Sequence, residues 1–97
     1  MSYLKFTWND HKNKTNQKKH GISFEEAQTV FFDEKAFEYY DTNHSQDEER
    51  YLMLGYSYRL RVLVVSYCYR RDSSEIRIIS SRKATKKEHK IYFGERK

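Results

Sequence analysis

The run over residues 61–69 constrains the fold more than any other part of this 97-residue chain. It reads Arg-Val-Leu-Val-Val-Ser-Tyr-Cys-Tyr, and its β-branched and aromatic residues favour a strand that is apolar at odd and even positions alike. A strand that is apolar on both faces is covered from both sides, so we expect it at the centre of a sheet. Alternating strands are predicted on either side of it, over residues 51–56 and 75–81. Links of hairpin length join the three strands and predict an antiparallel meander.

The N-terminal part of the chain predicts a short strand and a polar helix. Residues 4–8 alternate apolar and polar side chains, and Asn9 or Asp10 can then cap a helix that runs to His20. The last turn of this helix is basic, which the helix dipole favours. Gly21 supplies the left-handed residue that commonly follows a helix.

Two further helices are predicted by capping boxes, which start at Ser23 and at Thr85 and end three residues later on a glutamate. Residues 36–40 are expected to form an edge strand, and Gly55 to mark a bulge. The predicted fold class is therefore α+β, a single domain over residues 1–97 with the order β-α-α-β-β-β-β-α. We expect a twisted antiparallel sheet packed against helices.

Composition excludes several classes of protein. Only 37% of the residues are apolar, but 16% are aromatic, and these large rings can supply a small core. The longest apolar run is far shorter than the roughly 20 residues that span a bilayer, and the N-terminus lacks the apolar core of an export signal. Cys68 is the only cysteine, so we expect a buried thiol in a cytoplasmic protein. No zinc-ligand spacing, phosphate-binding loop or serine-nucleophile motif occurs, and no cofactor is expected.

Charge is segregated along the chain. Residues 1–20 and 50–97 carry net charges of +4 and +9, whereas residues 21–49 carry −8. If the two basic parts meet in space, they form a positive surface suited to phosphates. The alternative is that the acidic middle neutralises the basic parts by pairing with them at the surface.

An ordered set of motifs, spread over essentially the whole chain, resembles the BrnT family of toxins. The motifs of the first half are Phe6-Thr-Trp8, Asn16, Lys19-His20-Gly21, Ser23-Phe-Glu-Glu-Ala27 and Val30-Phe31. Those of the second half are Asp41 with His44, Glu48-Glu-Arg50, Leu54-Gly55, Val62-Leu-Val-Val65, Ile76-Arg-Ile-Ile-Ser80 and Arg82-Lys-Ala84. The resemblance implies the toxin of a type II toxin–antitoxin pair, with the fold of RelE-like ribonucleases. It also implies a ribbon-helix-helix antitoxin, BrnA, that binds and silences the toxin.

The sequence departs from the family pattern in two places. Asn9 stands after the first tryptophan, where the family usually has Asp-Pro, and the glycine before the arginine of the central hairpin is replaced. Either Arg59 or Arg61 therefore holds the usual arginine position, and Arg61, directly before the valine run, fits it better.

Metal-free RNA cleavage defines the kinds of residue to look for. Attack of a ribose 2′-hydroxyl on the adjacent phosphate needs a base, cations for the phosphorane and an acid for the leaving oxygen. We expect Arg61 and Arg82, which match arginine positions of the family, to form a phosphate-stabilising pair. His20 is the candidate for proton exchange, because an imidazole titrates near neutral pH, and Glu49 is a candidate base or orienting carboxylate. The candidate RNA-binding residues are Lys19, Arg50, Arg77, Lys83, Lys86 and Tyr92.

Each candidate also has a structural interpretation. The arginines can pair with carboxylates of the acidic middle, His20 can cap the last carbonyls of its helix, and the tyrosines can pack in the core. At the level of the whole protein, the alternatives to a toxin that inhibits translation by cleaving RNA are two. One is a non-catalytic nucleic-acid-binding module, and the other is an interaction protein whose acidic middle docks a basic partner.

Overall fold

The computed structural model describes residues 4–94. Its helices and strands are β1 (Lys5–Thr7), α1 (Asp10–His20), α2 (Phe24–Thr29), β2 (Phe37–Tyr40), β3 (Tyr51–Tyr56), β4 (Val62–Arg70), β5 (Glu75–Lys83) and α3 (Lys86–Tyr92). Short 3-10 turns follow α2 and β2. This order confirms the predicted succession of elements. Among the described residues, no helix is both long and apolar enough to cross a membrane.

The five strands form one sheet in the order β1-β5-β4-β3-β2. β4 lies at the centre, as the doubly apolar run predicts, and β3, β4 and β5 form the expected antiparallel meander. β2 is an antiparallel edge strand beside β3. The sheet departs from the expected all-antiparallel arrangement at the other edge, where β1 runs parallel to β5 with Phe6 opposite Ile76. The connection from β1 to β2 crosses the sheet through α1 and α2, and this places the first two strands at opposite edges.

The expected bulge at Gly55 is not present, since this residue pairs with Leu63 in regular register. Gly55 serves close packing instead, because a Cβ atom there would lie 2.7 Å from the Cβ of Ala36 and 2.9 Å from a methyl group of Val30. The irregularity of the sheet lies between β4 and β5. Ser66 and Tyr67 pair there with Ser80 and Ile78, so that one residue of β5 is left over.

The two faces of the sheet are covered to different extents. We call the face under α1 and α2 the helical face; its core consists of Ile22, Phe24, Ala27, Val30, Leu63, Val65, Tyr67, Ile76 and Ile78. The opposite face is covered only in part by α3, which packs with Leu54, Val62 and Val64 through Tyr92. We call the part that α3 leaves uncovered the open face. Strand alternation assigns to it Lys5, Thr7, Tyr39, Leu52, Ser66, Cys68, Arg70, Glu75, Arg77, Ser80 and Arg82.

Helix α1 is attached to the sheet by hydrogen bonds rather than by an apolar stripe, since only Asn13 and Asn16 are buried in it. Nδ2 of Asn16 donates to the carbonyls of Ile22 and Ser81 at 2.8 and 2.9 Å, and its Oδ1 accepts from the Ser81 N–H at 3.1 Å. Because β1 pairs with β5 only as far as Arg77, this side chain takes the place of a neighbouring strand farther along β5. α1 therefore lies along the edge of β5.

Helix caps agree with the sequence except at one glutamate. Asn9 caps α1, Gly21 follows it with φ +70°, and the capping box at Thr85 is complete. Ser23 accepts the N–H of Glu26 at 3.0 Å, but the Glu26 side chain does not return the bond. This carboxylate is buried and turns instead to the loop between β3 and β4.

Candidate functional site

Arg61 pairs with the buried Glu26 of α2, on the helical face of the sheet. Its Nε donates to one carboxylate oxygen at 3.0 Å, and its Nη2 donates to the other at 2.5 Å and to the Gly21 carbonyl at 3.2 Å. Burial acts to raise the pKa of Glu26, but hydrogen bonds from Arg61 and Ser57 outweigh burial and lower this pKa. Arg61 therefore links α2 to the loop before β4, and the Nε and Nη2 atoms of its guanidinium group already have hydrogen-bond partners.

Arg82 lies on the other side of the sheet. Its two terminal nitrogens donate to the two carboxylate oxygens of Glu88 at 2.8 and 3.0 Å, a fork-to-fork arrangement. These bonds lower the pKa of Glu88 to about 2. Arg82 stands opposite Val64 on the open face, whereas Arg61 reaches α2 on the helical face. The structure therefore does not bring the predicted Arg61–Arg82 pair together, because strand alternation sends the two side chains to opposite faces.

The open face carries other arginines, farther along the sheet from Arg82. Arg77 stands opposite the buried Cys68, and Arg70 pairs with Glu48 at 3.3 Å. Arg50 precedes β3 by one residue and follows the same alternation. Within residues 4–94, the side chains of Arg77 and Arg50 form no hydrogen bond or ion pair. Two guanidinium groups on this face are therefore free to bind phosphate.

Two predicted residues of α1 border the open face at the edge of β5. Lys19 and His20 are exposed and line a shallow depression together with Ile79 and Ser80. The side chain of His20 has no hydrogen bond within the described part of the chain, so it does not cap the helix carbonyls. The backbone of Gly21 makes that cap, through its N–H to the carbonyl of Gln17 at 2.9 Å.

Glu49 precedes β3, at the end of the sheet farther from Arg82. Glu49 is close to Tyr51, whose side chain packs on the helical-face core; burial, the charge of Glu49 and the charge of Glu38 raise the pKa of Tyr51. Glu49 lines a depression with Glu48, Tyr51 and Arg70, and among the described residues it has no hydrogen bond to Arg82, whose carboxylate partner is Glu88.

Tyr92 has no ring face available for stacking on a base. It is 7% exposed, its hydroxyl donates to Asp33 at 2.5 Å, and its ring meets those of Tyr56 and Phe93 edge-on. Burial and the bond to Asp33 raise its pKa. The prediction that Tyr92 binds RNA is corrected, because the residue belongs to the core under α3.

The remaining predicted lysines are exposed at the end of β5 and the start of α3. Lys83 is the last residue of β5, and Lys86 is the first residue of α3. Sequence reasoning did not single out Arg70 or Tyr39, which the structure places on the open face. The two-residue alternation of β2 and β4 could have assigned them to one face only once the register was known. No cluster of three or more metal-ligating side chains occurs among the described residues.

This α+β domain with a cationic sheet face belongs to a known class of protein. Residues 8–88 match the family model described as the ribonuclease toxin BrnT of type II toxin–antitoxin systems. The chain therefore belongs to the BrnT family of ribonuclease toxins, as its motifs predict.

The fold is also similar to that of a solved member of the family. The 1.1 Å crystal structure of the Brucella abortus ribonuclease toxin BrnT superposes with a TM-score of 0.65 and 24% identity, over 86% of this chain and 99% of that one. This likeness confirms the predicted α+β fold. Among proteins with curated descriptions, none matches the chain.

Proposed function

We propose that the chain is a metal-independent endoribonuclease whose reaction takes place on the open face, and that it inhibits translation by cutting RNA. The observation that carries this proposal is the group of four arginines on that face, Arg50, Arg70, Arg77 and Arg82. Two of them have no carboxylate partner within residues 4–94. Because arginine binds phosphate through two parallel hydrogen bonds, this surface suits an RNA backbone.

In the proposed reaction, the ribose 2′-oxygen attacks the adjacent phosphorus and the 5′-oxygen leaves, which gives a cyclic phosphate and a free 5′-hydroxyl. Arg77 and Arg82 stabilise the charge of the phosphorane. Glu88 holds the guanidinium of Arg82 in a fixed plane, and the Arg82 side chain is still 43% exposed. His20 donates the proton to the leaving oxygen, since its exposed ring borders the open face beside Ser80. Lys19, Arg50 and Lys86 bind the flanking phosphates, whereas Lys83 stands opposite Leu63 of the helical-face core and has no part in this site.

The proposed partner is a BrnA-like ribbon-helix-helix antitoxin. A toxin of a type II system has a protein antitoxin, and the motif order of this chain resembles the toxins that such an antitoxin silences. We place both proteins in the cytoplasm, where the RNA substrate is. Induction of the toxin alone should arrest bacterial growth, and co-expression of the antitoxin should restore it.

Incubation of the purified chain with RNA in the presence of EDTA tests the proposal. We expect cleavage that leaves cyclic phosphate and 5′-hydroxyl ends, and a loss of about 100-fold in rate for Arg77→Ala, as for one preorganised donor. Arg59→Ala, at an exposed arginine of the β3–β4 loop, is the matched control and should cleave normally. RNA that is bound but left intact would favour the non-catalytic module, and cleavage that EDTA abolishes would contradict a metal-free reaction.

A further inference from the structure

Asp41 and His44 form a carboxylate–imidazole pair in the turn that follows β2. Nδ1 of His44 lies 3.2 and 3.0 Å from the two carboxylate oxygens of Asp41. The Asp41 side chain is 10% exposed and that of His44 is 66% exposed. The carboxylate also accepts the N–H of Asn43 at 3.3 Å, and the Asp41 carbonyl accepts the Ser45 hydroxyl at 2.6 Å. A fixed carboxylate thus holds one nitrogen of an imidazole whose ring is open to solvent.

This arrangement selects one tautomer of the histidine. An ionised carboxylate only accepts hydrogen bonds, so the Nδ1 atom of His44 must carry a proton when it bonds to Asp41. In the neutral ring, Nε2 is then left with a lone pair and can take a proton from a substrate. A histidine oriented by a carboxylate in this way is the general base of several unrelated hydrolytic sites. Neither exposed histidine of α1, His11 or His20, has such an orienting group within the described residues.

The pair lies beside the open face. The N–H of Asp41 donates to the carbonyl of Arg50 at 2.9 Å, which continues the β2–β3 pairing by one step. Asp41 is two residues beyond Tyr39, which stands on the open face. Burial raises the pKa of Tyr39, and the charges of Glu88, Arg82 and Asp41 also act on it. Asp41 is therefore on the same side of the sheet as the Arg82–Glu88 fork.

We propose that His44 is a catalytic residue of the ribonuclease reaction and that Asp41 is its positioning residue. Nε2 of His44 takes the proton of the 2′-hydroxyl as the oxygen–phosphorus bond forms. The bond from phosphorus to the 5′-oxygen breaks, and that oxygen takes its proton from the acid, the role proposed for His20. This inference rests on the proposed function, because it supplies the base that the reaction needs.

Histidine replacement with chemical rescue tests the inference. We expect His44→Ala to lower the cleavage rate at least 100-fold, within the range of general base catalysis. Its melting temperature and its affinity for a 2′-O-methyl RNA, which binds but cannot react, should stay near those of the wild type. Added imidazole should restore part of the rate, because the ring position is open to solvent. His89→Ala, at an exposed histidine of α3, is the matched control and should keep full activity.

The Asp41→Asn variant distinguishes a role of Asp41 in positioning His44 from a role of Asp41 in folding. Asparagine caps a turn as well as aspartate does, so the protein should stay folded and bind RNA. The amide no longer requires a proton on Nδ1, and we expect cleavage to fall at least 10-fold. Full cleavage by His44→Ala or His44→Gln would overturn the inference. So would a loss of rate that follows a loss of folded protein and that imidazole does not rescue. Either result would leave the proposed ribonuclease function intact. Absence of cleavage by the wild type would instead refute the proposed function itself, and the role of His44 with it.

Discussion

Replacement of Arg61 by alanine tests whether this residue acts in folding or in catalysis. The change leaves Glu26, which is 2% exposed, with Ser57 as its remaining side-chain partner. Breaking a buried ion pair by removing one partner costs about 3–5 kcal/mol. Because the Arg61 side chain is 26% exposed, we take the low end, about 3 kcal/mol. At an unfolding entropy of about 2 cal/mol/K per residue, this corresponds to a fall in melting temperature of about 15 °C.

The assay combines thermal unfolding, followed by circular dichroism, with RNA cleavage at a temperature where the Arg61→Ala variant is folded. We expect normal cleavage per folded molecule, because the proposed site lies on the opposite face of the sheet. Arg59→Ala is the control: its side chain is exposed and forms no ion pair within residues 4–94, so its effect should stay below about 1 kcal/mol.

A double variant tests whether the loss of stability comes from the buried charge that Arg61→Ala leaves on Glu26. Glu26→Leu with Arg61→Met removes both charges and keeps similar volumes, so it should recover most of the stability that Arg61→Ala loses. Normal melting of Arg61→Ala together with loss of cleavage would refute the structural interpretation. That result would return Arg61 to the active site, where the family resemblance places it.

Four further outcomes follow from the structure. Bonds from Arg82 lower the pKa of Glu88 from 4.5 to about 2, so the unfolded chain binds more protons than the folded chain in this pH range. The free energy of unfolding should therefore fall as the pH drops from 4.5 to about 2. Urea unfolding at several pH values should show a smaller fall in this free energy for Arg82→Ala than for the wild type. Val64→Asp buries an unpaired carboxylate at a position 2% exposed, and a soluble protein with unchanged melting would contradict the central place of β4. Gly55→Ala should lower the melting temperature, since its Cβ would lie 2.7 Å from another Cβ. Asn16→Ala should cost about 2–3 kcal/mol and speed amide exchange at the edge of β5.

The parts of the fold that depend on near neighbours were predictable from the sequence. β3 has the predicted bounds of residues 51–56, Asn9 caps α1, and Thr85 forms its complete capping box. In each case the deciding contact joins residues a few positions apart, so the pattern of residue types contains the information. The central position of β4 was also predicted correctly, because a strand that is apolar on both faces must be covered from both sides.

The features that depend on distant partners were not predictable. The spacing from Ser23 to Glu26 fits a capping box, yet Glu26 bonds to Arg61, 35 residues away. β1 runs parallel to β5, at the edge of the sheet opposite β2, because α1 and α2 cross the sheet between β1 and β2. The residues of β1 alone do not indicate this crossover. Arg61 and Arg82 are both arginines at ends of predicted strands, and only the register of the sheet assigns them to opposite faces.

The open face itself follows from the small apolar content of the chain. Only 37% of the residues are apolar, and within the described part of the chain the buried core of the helical face contains nine of them, against four in the core of the other face. α3 has only seven residues and covers the end of the other face that carries Val62 and Val64. The open-face positions farther along β4 and β5 include Ser66, Arg77 and Ser80, which need no cover. A polar, cationic surface on a rigid sheet is the result, and backbone phosphates are the ligands that such a surface binds.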